Sequence, residues 1–546
     1  MTGTSDPDPL VAMGRPCDED RLAPLLPGKR ISSKEGPSPQ SRRVYSRRGG
    51  RGGMLKKFGY YSGLAIMASS LSLIGSGLYG LYLAYLQGLP QERYPAIVMF
   101  SMGLSFILAG YLLTRRGTEP LKMSEAVAVT VLIWLLVPTL DAIPFMMASH
   151  IPFIDALFES VSGWTTTGLT ILSGEPSTWH HTYVPEVSAI PETLKVWRSL
   201  MQWEGGLGIV IFTIAFLAPP GVSVATLYLA EGKFERLEAS LRRSAVKMGA
   251  IYIVLTIIGA VLFFLAGMPL GDAIQHSMTG IATAGFSTHT ESIGYYMDNH
   301  WILLVAALVM FLGAVSFADH NALLTGRFRE LRHSIELHAQ LAIIAGSILL
   351  AGYMWMRDPL FHSNFTFTQV WFHVVSSFAT AGFQAGDLHA TTESYKVLLA
   401  ILALIGGSAF STAGGIKVFR ILISLKSISY EADLVVHARG YVPSRRLGRY
   451  VLNEELVRRT LATVTAFVVT YTLLVILLAA IYPGMYDLGD IAFEIASAMG
   501  NVGLSTGLSA AGAPLGVKAI LIAAMLLGRL EVVAYIAALR YVVRRG

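Results

Sequence analysis

Ten long apolar stretches divide the chain, and shorter polar segments separate them. A helix needs about 20 predominantly apolar residues to cross the hydrocarbon core of a bilayer, and each stretch reaches that length. We place them near residues 57–87, 95–114, 121–147, 193–218, 246–268, 299–323, 336–356, 394–425, 457–482 and 514–541. The pattern predicts an all-α protein that crosses the membrane ten times.

A shorter motif returns four times, each time between two of the last eight apolar stretches. It consists of a short amphipathic helix, about half a span long, followed by a strip of small residues with one glycine. The four strips are Thr166-Thr167-Gly168, Thr283-Ala284-Gly285, Thr380-Ala381-Gly382 and Asn501-Val502-Gly503. Helix, pore helix, strip and helix therefore form a repeat unit, and four pseudo-symmetric units predict a ring around one pore. The first two stretches form an extra N-terminal pair with no strip between them.

The strips offer little side-chain chemistry, but they carry a run of backbone carbonyls. Glycine allows the positive φ that turns such carbonyls inward, and rings of carbonyls can replace the hydration shell of K⁺. For a single copy, a loop in which glycine simply allows the turn would be the simpler interpretation. Four copies in matching positions favour a selectivity filter. We therefore predict that all twelve strip residues bind the transported K⁺, which is the only metal expected.

A glycine-rich run interrupts the apolar stretch 394–425 and has no counterpart in the other repeats. It reads Gly-Gly-Ser-Ala-Phe-Ser-Thr-Ala-Gly-Gly from residue 406 to residue 415. A helix cannot easily continue through it, and non-helical backbone at membrane depth is tolerated only inside protein or beside water. We predict a broken helix whose loop lies in the pore below the filter; the alternative is a helix face packed on a neighbour. The candidate gate residues are Gly406, Gly407, Ser408, Ser411, Thr412, Gly414, Gly415 and Arg529.

Arg529 and Glu531 lie within the last apolar stretch, where an ionisable residue is a functional candidate by default. Arg529 is predicted to form an electrostatic barrier in the pore or to clasp the loop; the alternative is a pair with a buried acid such as Glu494. Glu531 could pair with a basic group. The segment 203–208, Trp-Glu-Gly-Gly-Leu-Gly, predicts close helix packing, since it lacks the preceding strand and the glycine spacing of a dinucleotide-binding motif.

Composition and charge agree with a membrane protein. Hydrophobic residues make up 53% of the chain and charged residues 14%, against about 25% in soluble proteins. Placing both termini in the cytoplasm puts nearly all loop arginines and lysines inside and all four strips outside, as the positive-inside rule requires. The net charge of +6 therefore reflects cytoplasmic loops rather than nucleic acid binding. The single cysteine, Cys17, allows neither an intrachain disulfide nor a cysteine metal site.

The expected organisation has seven parts. A disordered basic cytoplasmic tail without signal-peptide character comes first, and anionic-lipid contact or regulation is its alternative interpretation. The cytoplasmic linker is predicted to be either a solvated helical segment or a docking surface for a cytosolic partner. The ranges are 1–53 for the tail, 54–118 for the extra helix pair, 119–220, 221–325 and 326–430 for repeats one to three, 431–456 for the linker and 457–546 for repeat four.

Together, these motifs resemble the Trk/Ktr/HKT superfamily of potassium transporters over roughly residues 55–546. The resemblance is carried by the segments 155–170, 203–208, 406–417 and 528–531. The two extra helices suit the Trk branch better than the eight-span Ktr branch, although the fourth strip is the least regular. The resemblance implies potassium uptake in a prokaryotic inner membrane, a homodimer with one pore per subunit, and a gate formed by the broken third-repeat helix beside the last-span arginine. It also implies a cytosolic regulatory subunit of the TrkA kind, which binds NAD(H) or ATP.

Three other functions are considered. One is a Na⁺-permeable relative, and another is a non-conducting sensor or assembly subunit. The third is an integral membrane enzyme, for which the scattered histidines offer no paired metal spacing. These histidines are His276, His289, His320, His333, His338 and His373. We expect no enzymatic activity and no covalently bound cofactor, and coupling of transport to H⁺ or Na⁺ stays open.

Overall fold

The computed structural model describes residues 51–545, except 116, 118, 119, 180, 210, 212–239, 438–445 and 449. The predicted tail at residues 1–53 lies almost entirely outside the described residues. Met54–Gly546 forms one compact unit. Within it, the described residues build almost only α-helices, which confirms the predicted fold class.

Nineteen helices make up this part of the chain. They are α1 (Arg51–Tyr85), α2 (Arg93–Thr114), α3 (Met123–Ser149), α4 (Phe153–Trp164), α5 (Glu192–Leu207), α6 (Leu241–Leu265), α7 (Leu270–Ile281), α8 (His300–Ala314), α9 (Phe317–Leu324), α10 (Phe328–Leu331), α11 (Ile335–Arg357), α12 (Pro359–Asn364), α13 (Phe367–Phe378), α14 (Glu393–Ile405), α15 (Val418–Val436), α16 (Glu454–Ile481), α17 (Leu488–Gly500), α18 (Leu515–Leu530) and α19 (Val532–Arg545).

Four short 3₁₀ helices and two small antiparallel strand pairs complete the regular structure of the described residues. Strand β1 (Glu175–Pro176) pairs with β2 (Tyr183–Val184), and β3 (Arg446–Leu447) pairs with β4 (Tyr450–Val451). The second pair lies in the predicted linker 431–456, whose first residues belong to α15. The linker is therefore helical only in part where it is described.

Six described helices are long and apolar enough to cross a membrane, and eight spans result if each of two bent pairs counts as one. All eight fall on predicted stretches. Of the other two stretches, 193–218 begins with α5 and continues into residues that are not described. The stretch 394–425 is divided into α14 and α15 by a loop at 406–417, as its glycines predict.

Two stretches that the sequence predicts as single spans are bent instead. The stretch 299–323 consists of α8 and α9, which meet at 105°, and 514–541 consists of α18 and α19, which meet at 92°. Val315 is extended and the Ser316 side chain caps α9 by accepting from the Ala318 amide, so a new helix starts there. Glu531 has a φ of 65°, which no α-helix accommodates. Local dihedral angles and caps, not hydrophobicity, set both bends.

The sequence suggested a break in the third repeat only, but the helices of other repeats are interrupted as well. Helices α5 and α18 are both 16 residues long. The residue that directly follows each of them, Gly208 after α5 and Glu531 after α18, has a positive φ. What distinguishes the third repeat among the described residues is the length of its break, a loop of a dozen residues instead of one or two.

The helices that follow the strips share one register. When residues are counted from the first residue of each helix, the fourteenth is Gly205 in α5, Gly313 in α8 and Gly528 in α18. The fourteenth residue counted from the start of α14 is also a glycine, Gly406, which directly follows that helix. At the first three, a Cβ would collide with the carbonyl oxygen of the twelfth residue of the preceding short helix. These residues are Trp164, Ile281 and Met499, respectively. Only glycine permits this approach, which brings each helix against its own short helix just before the strip.

Candidate functional site

The four predicted strips adopt one backbone conformation. Their first residues have φ values of 57°, 51°, 52° and 53°, and their glycines have values of 87°, 77°, 74° and 101°. The middle residue of each strip is not in the left-handed region, so the sign of φ alternates along the strip. Threonine, the first residue of three strips, seldom adopts positive φ, whereas asparagine, the first residue of the fourth, accepts it more readily. Repetition of this strained pattern at all four sites shows that the surrounding structure imposes it.

The strips touch one another in a closed order. A Cβ on Gly168 would collide with the carbonyl oxygen of Ala284 in the second strip. Gly285 stands in the same relation to Ala381, Gly382 to Val502, and Gly503 back to Thr167. At each step, the Cα of the next glycine lies only 2.9 to 3.4 Å from that Cβ position. The four glycines and four carbonyls therefore form a ring around one axis, which we call the glycine ring.

A buried side chain behind each strip holds the segment that follows the ring. It comes from the seventh position of each short helix, namely Glu159, His276, His373 and Glu494, all 0% exposed. Glu159 accepts from the Ile171 amide at 2.9 Å, and Glu494 accepts from the Thr506 amide at 3.0 Å. His373 accepts from the Ala385 amide at 3.0 Å, and His276 contacts Ser287 Oγ at 3.0 Å. These four residues brace the ring, a role that sequence reasoning missed.

A cavity of about 550 Å³ opens on the face of the ring formed by these braced segments. All four ring glycines line it, together with Thr170, Ser287, Gln384 and Ser505. These polar side chains give the cavity groups that can hold a hydrated ion beside the ring.

The loop at residues 406–417 covers the opposite face of the ring. Thr412 Oγ1 lies 3.2 Å from Thr283 Oγ1, and 2.9 and 2.8 Å from the carbonyl oxygens of Ile281 and Gly313. The Gly414 amide donates to Thr380 Oγ1 at 2.7 Å. Two of the predicted gate residues, Thr412 and Gly414, therefore lie directly against the first residues of the second and third strips. Gly406 and Gly415 pack against each other, Gly407 packs against Ala314, and Ser408 and Ser411 bond to Gln340 and to each other.

Arg529 joins the loop to the first strip. Its guanidinium donates to Thr166 Oγ1 at 3.0 Å, to the Thr412 carbonyl at 3.4 Å, and to the Gly205 carbonyl. Glu494 accepts instead from Ser505, Thr506 and Ser509, so the predicted alternative of an Arg529–Glu494 pair is not formed. The geometry is that of the predicted clasp.

Two further predictions concern neighbouring residues. Glu531 pairs with a basic group, the guanidinium of Arg420, at 2.5 Å. Gly205 and Gly206 pack as closely as predicted, since a Cβ on either would collide with Trp164 or with Tyr252 and Ala282. The same two glycines also present their carbonyls to Arg529, which the sequence did not indicate.

Acidic and basic groups are paired rather than clustered around the site. Lys518 and Asp155 form a buried ion pair at 2.5 Å, and Lys396 and Asp490 form another at 2.7 Å. Each pair links a helix that follows one strip to the short helix of the next repeat. Among the residues that the structure describes, no group of three His, Cys, Asp or Glu side chains is placed to hold a metal ion.

Fold and site together define a polytopic α-helical membrane protein in which four strips meet in one ring between a cavity and a loop. A family of sequences described as cation transport proteins, TrkH, matches residues 95–351 and 341–543. The chain belongs to the TrkH family of cation transport proteins.

Individual relatives agree with this assignment. The Trk system potassium uptake protein TrkH of Salmonella typhimurium is 34% identical over 434 residues, which are 77% of this chain and 85% of that protein. An uncharacterized cation transporter of Methanocaldococcus jannaschii is 32% identical over 439 residues, or 79% and 85% of the two chains. The crystal structure of the potassium transporter TrkH from Vibrio parahaemolyticus matches with a TM-score of 0.74 at 27% identity, covering 88% of this chain and 97% of that one.

Proposed function

We propose that the chain takes up K⁺ through the glycine ring, as the membrane subunit of a Trk-type system. The observation that carries the proposal is the closed order of the four strips, from Gly168 through Gly285 and Gly382 to Gly503 and back. An ion that leaves water for this site needs oxygen ligands on all sides, and four neighbouring strips supply them from the main chain. The names of the TrkH relatives support K⁺ as the ion.

The twelve strip residues hold the ion in this proposal, and K⁺ is cargo rather than a resident cofactor. The braces at Glu159, His276, His373 and Glu494 keep the strips from closing around a smaller ion. Because a dehydrated Na⁺ needs shorter ligand distances, a ring that cannot contract binds it poorly. No covalent chemistry is part of the mechanism.

The loop at 406–417 and Arg529 control passage. The loop makes hydrogen bonds to the strips, and in this proposal it obstructs the path of the ion along the axis. The Arg529 guanidinium adds a positive charge next to it. Passage requires the contacts of Thr412, Gly414 and Arg529 to break. A regulatory signal then acts by favouring a second position of the loop.

The remaining parts of the proposal concern assembly. The chain lies in the inner membrane of a prokaryote with both termini in the cytoplasm, and two copies associate with one pore each. A cytosolic nucleotide-binding subunit of the TrkA kind regulates the loop. Family membership is what supports this assembly.

Growth of cells that lack their own potassium uptake systems tests the function. Cells expressing this chain with its TrkA-type partner should grow at low external K⁺. A Gly382→Val variant is the matched control, because its side chain would collide with the Val502 carbonyl and obstruct the ring. Failure of the wild-type chain to support growth while it is present in the membrane would contradict the proposal, and would favour the sensor or assembly role.

A further inference from the structure

Helix α5 contacts the second strip with a side chain that the other repeats lack. Gln202 Nε2 donates to the Ala284 carbonyl at 2.7 Å, and Gln202 Oε1 accepts from the Phe286 amide at 2.9 Å. The two bonds lie on either side of Gly285 and fix the orientation of the amide group, since each end can serve only one of these partners. Gln202 is 0% exposed, so neither bond competes with water.

The shared helix register identifies what stands at this position elsewhere. Gln202 is the eleventh residue of α5, and the eleventh residues of α8, α14 and α18 are Met310, Ala403 and Met525. None of these three side chains can donate a hydrogen bond. Among the described residues, the corresponding carbonyls of Thr167, Ala381 and Val502 receive no hydrogen bond. The glycine ring therefore contains one carbonyl that differs from the other three.

Arg198, one helical turn before Gln202, secures the same segment. Its guanidinium lies 3.9 Å from the centre of the Phe286 ring and donates to the Ser287 carbonyl at 3.3 Å. Its charge is balanced by Glu159 of the first repeat at 3.3 Å, and it is 1% exposed. The seventh positions of α8, α14 and α18 are Ala306, Leu399 and Leu521, so this contact also belongs to α5 alone.

We propose that Gln202 is a specificity-determining residue, which acts by holding the Ala284 carbonyl and so sets the K⁺ over Na⁺ preference of the ring. The inference rests on the proposed function. A hydrogen bond from Gln202 occupies one lone pair of the carbonyl and fixes its position, which lowers its strength as an ion ligand. Na⁺ gains more than K⁺ from strong, mobile ligands because it can approach them more closely. Loss of the donor therefore favours Na⁺.

The test replaces Gln202 with the residue that α8 and α18 already carry. Gln202→Met and Gln202→Leu should each lower the K⁺/Na⁺ permeability ratio by about three- to tenfold in proteoliposomes, the range expected for one neutral hydrogen bond. Met310→Leu and Met525→Leu, at the same helix position, should leave the ratio within twofold of wild type. Hydrogen exchange should accelerate at the Phe286 amide and not at the Phe383 amide.

The outcomes separate this inference from the proposed function. A wild-type chain that carries no K⁺ would overturn the proposed function, whatever the variants do. A selective wild-type chain with unchanged selectivity in both Gln202 variants would overturn only the role of Gln202. Faster exchange at Phe286 with unchanged selectivity would show that the bond is structural, which also overturns the inference.

Discussion

At the scale of single residues, four glycines decide whether the strips can meet. Each is in the left-handed region, and each lies against a carbonyl of the next strip. A side chain at any of them meets two obstacles, a strained φ and an occupied space. The two can be separated by experiment because other glycines in the chain have the same φ and open surroundings.

Gly168→Ser should lower the K⁺/Na⁺ flux ratio by about tenfold, a change of roughly 1.4 kcal/mol in relative barrier height. The serine side chain would push on the Ala284 carbonyl and distort the ring. Gly484→Ser is the control, since Gly484 has a φ of 75° but no heavy atom within 4 Å of the new Cβ. Equal selectivity of wild type and Gly168→Ser would count against the filter assignment.

Arg529→Gln should raise K⁺ flux in the absence of any regulatory partner, by about tenfold or more. The change removes the charge beside the loop and weakens its bonds to Thr166 and Thr412, and hydrogen bonds to charged groups are worth about 1.5–3 kcal/mol. Tracer uptake of ⁸⁶Rb⁺ into proteoliposomes measures it. Arg540→Gln, in α19, is the control. Flux at or below the wild-type rate in a folded Arg529→Gln protein would argue that Arg529 does not hold the loop closed and instead supports ion passage through the pore.

At the scale of elements, the loop 406–417 bonds directly to the second and third strips and is joined to the first strip through Arg529. Deleting residues 408–413 should raise K⁺ flux, because the deletion removes Thr412 and its contacts with Thr283, Ile281 and Gly313. Thr412→Val, which keeps the loop length, should give a smaller increase in the same direction. Loss of flux in a deletion variant that elutes as a folded protein would indicate that the loop supports the ring instead of closing it.

At the scale of the whole molecule, a buried ion pair joins the first and the fourth repeat. Lys518 in α18 and Asp155 in α4 are 1% and 0% exposed, and they lie 363 positions apart in the sequence. Asp155 also accepts from Ser177. These two repeats are not consecutive in the chain, so the ion pair provides a direct link between them.

Lys518→Met should therefore destabilise the protein strongly, by about 3–5 kcal/mol, because it leaves Asp155 charged and buried without its partner. Thermal unfolding in detergent measures the loss. The double variant Lys518→Met with Asp155→Leu should recover much of the stability, since it removes both charges. A single variant as stable as wild type would show that Asp155 finds another partner, and that the pair does not hold the ring closed.

The sequence predicted the parts of this molecule that depend on length and composition. Spans follow from about 20 apolar residues. The loop at 406–417 follows from two pairs of adjacent glycines joined by mostly small residues, through which a helix cannot easily continue. The bends at Val315 and Glu531 could not be predicted, because backbone dihedrals and a serine cap produce them within an apolar stretch. The braces escaped notice because glutamate and histidine fill the same position with different chemistry. The role of Gln202 could not be predicted, because it becomes visible only when the eleventh residues of α5, α8, α14 and α18 are compared, and the sequence alone does not give the helix starts.

The most direct measurement of the central claim is the location of the ion. Crystals or frozen grids of the protein in Tl⁺, a K⁺ congener, should show density on the axis enclosed by Gly168, Gly285, Gly382 and Gly503, and this density should be absent when Na⁺ replaces Tl⁺. Density confined to other places, or an empty ring in protein that transports K⁺, would contradict the account.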